Sequence, residues 1–106
     1  MESYDFVVVD GLPPEVDNQT DVAIDTEFFG QEKQRLHRPH GKFASLQICI
    51  GNTVYIITDE KDIPEAWRRI KNARAIIGHN LIYDIRQLRR FIPIERRYLW
   101  DTLLVE

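Results

Sequence analysis

Through the first half of the chain, apolar residues alternate with polar ones or gather in short β-branched runs, a pattern that predicts strands. Residues 4–9 form the first run and stop at Asp10-Gly11, a turn pair. Leu12-Pro13-Pro14 and Asp17-Asn18 predict a loop after it. Residues 21–29 are the second strand. Val22 and Ile24 share one of its faces, so Asp25 and Glu27 share the other. Residues 30–42 are polar and predict a long loop or hairpin tip. Two more apolar strands, 43–50 and 53–58, are split by Gly51-Asn52, a two-residue link that favours a hairpin.

The hydrophobic period then lengthens to that of a helix. Asp62 and Glu65 have the spacing of a capping box, and Ile63, Ala66, Trp67 and Ile70 supply an apolar stripe behind them. Ala75-Ile76-Ile77-Gly78 predicts a short buried strand. Asn80 stands where a cap would, ahead of a helix whose apolar face carries Leu81, Ile85, Leu88 and Ile92. Arg86, Arg89 and Arg90 fall largely away from that face, and Pro93 ends the helix. Residues 97–100 predict a last strand, and Asp101 the cap of another helix. Hairpin-linked strands followed by alternating helices and strands give a mixed α/β sheet, in which ligands gather at strand ends and helix N-termini.

Composition narrows the class. At 106 residues the chain is one domain with a modest core. No apolar run nears the roughly 20 residues of a membrane span, so no membrane partner is expected. The acidic start, residues 1–5, lacks the basic opening of a secretory signal. The single cysteine, Cys49, cannot pair internally and reads as a small core residue. Together these set a cytoplasmic, intracellular expectation.

The net charge of −3 argues against a general nucleic-acid coat protein. Its distribution says more. Residues 1–32 hold nine acids and no Lys or Arg, whereas 66–100 hold nine Lys or Arg against Asp84 and Glu95. Between them, Lys33, Arg35, His37, Arg38, His40 and Lys42 make the polar loop basic. An acidic site flanked by basic surface suits a protein that binds metal ions and a phosphate backbone together. Chance segregation on a solvated surface produces the same pattern.

Two carboxylates on one face of an apolar strand, Asp25 and Glu27, repel each other unless a positive group lies between them. A hard divalent cation, Mg²⁺ or Mn²⁺, is the natural occupant, and a solvated strand end is the plainer alternative. Asp84 lies four residues after Asn80, so both project from one side of a helix. Gly78 permits close backbone approach just before it. The alternatives are a surface acid paired with Arg86 or Arg89, and an Asn80 that only caps. Of Phe28 and Phe29, alternation sends one into the core and leaves the other to stack on an unpaired base.

Three segments then carry a resemblance. Asp25-Thr26-Glu27-Phe28 resembles the first motif of the DEDD (DnaQ-like) 3′–5′ exonuclease superfamily. Gly78-His79-Asn80-Leu81-Ile82-Tyr83-Asp84 resembles its second, and Trp100-Asp101-Thr102 the Asp-Thr that follows. The first motif and Phe43-Ala44-Ser45-Leu46-Gln47-Ile48 are similar to ribonuclease D, while the second motif is equally similar to the proofreading domain of family A DNA polymerases. The resemblance spans residues 21–106, and each motif gains its weight from being in register with the others. It implies a ribonuclease H-like α/β fold, a mixed sheet with flanking helices. It also implies hydrolysis of terminal nucleotides from the 3′ end of single-stranded DNA or RNA. Asp25, Glu27 and Asp84 would be catalytic metal ligands for two Mg²⁺ or Mn²⁺ ions about 4 Å apart. Thr26, Phe28, Asn80 and Tyr83 would contact the nucleic acid, and Asp101 would support the ligands or cap a helix.

One departure bears on activity. The family's third motif supplies a fourth carboxylate with a Tyr or His before it, and no match to it is present. Residues 1–106 therefore read as a partial, C-terminally truncated exonuclease domain. A homodimer or a second polypeptide would supply the missing part and cover a sheet face otherwise left bare. The competing function is a catalytically incomplete module that binds nucleic acid or protein with the same fold.

Overall fold

A computed structural model describes residues 7–29 and 42–94, and the backbone of 99–101. Within them six strands form one sheet: β1 (Val7–Asp10), β2 (Asp21–Phe29), β3 (Lys42–Ile50), β4 (Thr53–Ile57), β5 (Ala75–Gly78) and β6 (Leu99–Asp101). Two helices, α1 (Ile63–Ile70) and α2 (Leu81–Leu88), link the later strands. The strand order is β1-β4-β3-β2-β5-β6. Strands β2, β3 and β4 are antiparallel neighbours, and β5 and β6 extend the sheet in parallel from β2. This is the mixed α/β sheet that the pattern predicts. The expected strand 53–58 ends one residue early, at Ile57. The loop 30–41, with His37 and His40, lies outside the described residues, as do 95–98 and the helix start expected after Asp101.

The placement of β1 is not visible in the hydrophobic pattern. It crosses to the far edge and pairs in parallel with β4, Val8 opposite Val54. Its valines Val7, Val8 and Val9 stay exposed.

Period-two alternation decides which side chains go inside. On β2, Val22, Ile24, Thr26 and Phe28 are buried, while Asp25, Glu27 and Phe29 are exposed. Cross-strand partners extend that inner face through Phe43, Leu46, Ile48, Ile57 and Ile76. Ile63, Ala66 and Ile70 of α1 and Leu81, Ile85 and Leu88 of α2 join the same core. Both helices thus cover one sheet face. The opposite face holds Ala23, Gln47, Cys49, Val54 and Ile77 at intermediate exposure, so Cys49 lies outside the main core.

The helix starts differ from the predicted caps. Asp62 precedes α1 without making a side-chain cap. Its partner Glu65 is taken by Arg68 and Arg69 (2.6 and 3.1 Å), and Pro64 occupies the first turn, where its missing amide costs nothing. Asp59 caps instead, accepting from the Lys61 amide at the head of a 3₁₀ turn over Glu60–Asp62. The loop 11–20 is tied to α1 through Val16 and Pro13, which bond the backbone and guanidinium of Arg69.

Candidate active site

The site forms where β2 outruns its neighbour. The pairing of β2 with β5 covers only Asp21 to Ala23, whereas its pairing with β3 continues to Phe29. A bulge at Glu27/Phe28 sets Glu27 opposite Ser45 and Phe28 opposite Phe43. The extra residue, Ala44, keeps Phe43 on the inner face while the strand turns, a device common beside binding sites. Asp25 and Glu27 stand exposed on the open face, with Gln47 and Ser45 as cross-strand neighbours.

On the other side of β2, α2 begins directly after β5. Gly78 makes that junction possible. A Cβ there would meet Leu81 Cδ1 at 2.7 Å and the Ile24 carbonyl oxygen at 3.4 Å. Asn80 takes a left-handed conformation (φ 63°) and makes no side-chain cap. Its carbonyl instead accepts the amides of Tyr83 and Asp84, which starts the helix while the side chain stays on the surface. The capping role expected of Asn80 is thus carried by its backbone. Left-handed backbone is strained for most residues, and Asn tolerates it better than others.

Asp84, in the first turn of α2, is only 3% exposed, and Thr26 is 8% exposed. The Thr26 hydroxyl donates a short hydrogen bond to Asp84 Oδ1. The two sequence motifs therefore meet in space, through the threonine between the two acids. Alternation turns Asp25 and Glu27 to the other side of the strand. Among the described residues no three His, Cys, Asp or Glu side chains gather closely enough to hold a metal ion. The exposed Asp25 and Glu27 pair has the oxygen donors that a hard cation takes. Asp84 is not grouped with them in this arrangement.

Around Asp84 lies a partly buried polar network. The Tyr83 hydroxyl is enclosed, and its pKa is raised, first by burial and further by the charges of Asp84 and Glu27. The Gln87 amide and the Arg90 charge act in the opposite sense. Gln87 is buried and accepts from Arg90 Nη1 at 3.0 Å. Arg90, expected to point away from the apolar face, has its guanidinium 5.6 Å from the Phe28 ring centre and 5.4 Å from that of Phe91. Phe28 itself packs edge-on against Phe43 (5.6 Å) in the core. The exposed ring of the pair is Phe29, at 67%. The signal for Gln87 was a polar residue inside the Leu81, Ile85 and Leu88 stripe. No sequence signal placed Arg90.

His79 is exposed at the end of β5. Asp101 is paired through its backbone with Gly78, at the turn into α2, and its side chain lies outside the described residues.

No family model matches the chain, and no curated protein does. Among solved structures the chain is similar to the catalytic core of RRP6 from Trypanosoma brucei, at 20% identity and a TM-score of 0.56. The likeness covers 80% of this chain and 23% of that one, so the chain spans about a quarter of its neighbour's length. The chain has the fold of that catalytic core, a ribonuclease H-like α/β sheet.

Proposed function

We propose that the chain is part of a metal-dependent 3′–5′ exonuclease domain acting on single-stranded nucleic acid. The observation that carries this reading is the Thr26–Asp84 hydrogen bond, which joins the first and second motifs in a fold shared with a catalytic core. Asp25 and Glu27 would hold Mg²⁺ or Mn²⁺ on the open side of β2, and Asp84 would join them only by leaving Thr26 and moving round the edge of β2 that runs past β5 beyond Ala23. A divalent cation bound there supplies Lewis-acid activation of water and offsets charge on the phosphodiester. Phe29 offers an exposed ring to the terminal base, and Asn80 lies on the surface where the strand would leave. Asp84 ties α2 to β2 through Thr26.

The absence of a three-carboxylate group among the described residues favours a second reading, a binding module that keeps the fold without the chemistry. Digestion of a 5′-labelled single strand in Mn²⁺, by wild type and by Asp25→Ala, separates the two. The exonuclease reading expects a one-nucleotide ladder that the variant loses. A ladder that persists in Asp25→Ala removes Asp25 from the site. Binding without digestion by the wild type selects the module, and cutting of a circular strand shows an endonuclease.

A further inference from the structure

Cations and aromatic rings interleave along a surface on the helix-covered side of the sheet. It comprises two open grooves that meet at Ile92 and Pro93. The first, about 530 Å³, is walled by residues 89–94. The second, about 540 Å³, runs along the outer side of α1, past Lys61, Trp67, Arg68 and Lys71. The first groove adjoins the helix-covered side of β2, where Arg90 in its wall lies over the buried ring of Phe28. Asp25 and Glu27 face the other side, so a strand would pass between them round the edge of β2 that runs past β5 beyond Ala23.

We propose that the joined grooves carry the body of the single-stranded nucleic acid, with Trp67 stacking on a base and Lys61 and Lys71 holding its phosphates. This rests on the exonuclease reading above and extends it from the terminus to the rest of the strand. Trp67 packs against the core while lining the groove, so the ring is braced from behind. Lys61 meets Asp59 at 3.6 Å across exposed side chains, a pair that contributes little and yields readily to a phosphate. Lys71 takes part in none of the ion pairs among the described residues. Arg68 is already engaged by Glu65 and Glu15, so the phosphate contacts fall to the two lysines. A basic groove interrupted by flat rings is how single strands are held without regard to sequence. An acidic peptide would satisfy the lysines but has no base to place on Trp67.

The test is fluorescence anisotropy with 5′-labelled strands of about 4 and about 16 nucleotides. Divalent cation is left out so that no strand is consumed. In Lys61→Ala/Lys71→Ala, affinity for the long strand falls about tenfold and that for the short strand stays. Two lost phosphate contacts also make the slope of log K against log salt shallower by about 1.4. Trp67→Leu lowers long-strand affinity roughly tenfold, and Trp67→Phe keeps most of it. Thermal unfolding of each variant shows that the fold persists. Unchanged long-strand binding in the lysine variant overturns the proposal, as does equal loss for both lengths. Tighter binding of a polyglutamate peptide than of the long strand, lost in the same variant, assigns the groove to acidic protein and overturns it too. If the wild type digests a strand but the lysine variant leaves length dependence intact, the groove assignment fails alone. If the wild type binds neither length, both readings fail.

Discussion

Replacing Thr26 with valine removes one hydroxyl from between β2 and α2 while keeping the β-branched shape that suits a strand. Thr26 is 8% exposed and Asp84 3%, so solvent cannot freely replace the lost donor. A hydrogen bond to a charged acceptor contributes about 1.5–3 kcal/mol, and the acceptor left behind stays buried, so the variant should lose about 2–3 kcal/mol. For a chain of 106 residues the unfolding entropy is about 0.22 kcal/mol/K, which turns that loss into a fall of about 9–13 °C in Tm. Urea unfolding followed by circular dichroism measures the free energy directly, and an unchanged m-value shows that the folded and unfolded states are otherwise the same. Asp84→Leu removes the acceptor at similar volume. The double variant Thr26→Val/Asp84→Leu should therefore lose less than the sum of the singles, with a coupling of about 1–2 kcal/mol. A Thr26→Val midpoint within about 2 °C of wild type would refute the reasoning. It would mean that packing alone holds α2 on β2 and that the bond between the motifs carries no weight.

The left-handed backbone at Asn80 (φ 63°) predicts that Asn80→Ala costs about 1 kcal/mol, whereas Asn80→Gly is neutral or slightly stabilising in chemical denaturation. An equal loss for both would place the contribution in the side chain. Gly78→Ala drives a Cβ to 2.7 Å from Leu81 Cδ1, and the overpacking should cost about 1–3 kcal/mol. In a Leu81→Ala background, itself destabilising because Leu81 is buried, Gly78→Ala should cost less, and an undiminished cost would put the strain elsewhere. Hydrogen bonds from Arg68 first, and then Arg69, hold the Glu65 carboxyl down to about 2 from an ordinary 4.5. A depressed folded pKa contributes stability in full above the unfolded value and loses it as pH falls, here between 4.5 and about 2. Glu65→Gln should lower stability above pH 4.5 and converge with wild type as pH falls toward about 2, flattening the acid limb in that window. A limb of unaltered slope would show that solvent screens these exposed pairs fully.

Much of the fold is legible along the chain because both regular periods are strong. Alternation over Asp21–Phe29 sorted Val22 and Ile24 from Asp25 and Glu27, and the observed burial follows it residue by residue. Gly51-Asn52 marked the β3–β4 hairpin, where Ile50 pairs with Thr53. The helical stripes of α1 and α2 are those that enter the core. Caps were less legible. The oxygen of Asp62 and that of Asp59 look alike in sequence, and the choice fell to Asp59 once Arg68 and Arg69 drew Glu65 outward.

The edge position of β1 depends on parallel pairing across the sheet, which no local pattern encodes. The same holds for Arg90. Helical spacing turns it from the apolar stripe, but the tight turns that follow Leu88 set its guanidinium over Phe28. The sequence by itself determined which residues line each face of β2 and where α2 begins, because those depend on backbone geometry within a few residues. Only the tertiary structure decided that Thr26 links Asp84 to β2 while Asp25 and Glu27 face the other way. That outcome turns on which face of the sheet α2 covers, and on burial leaving the Thr26 hydroxyl and the Asp84 carboxylate within reach of each other.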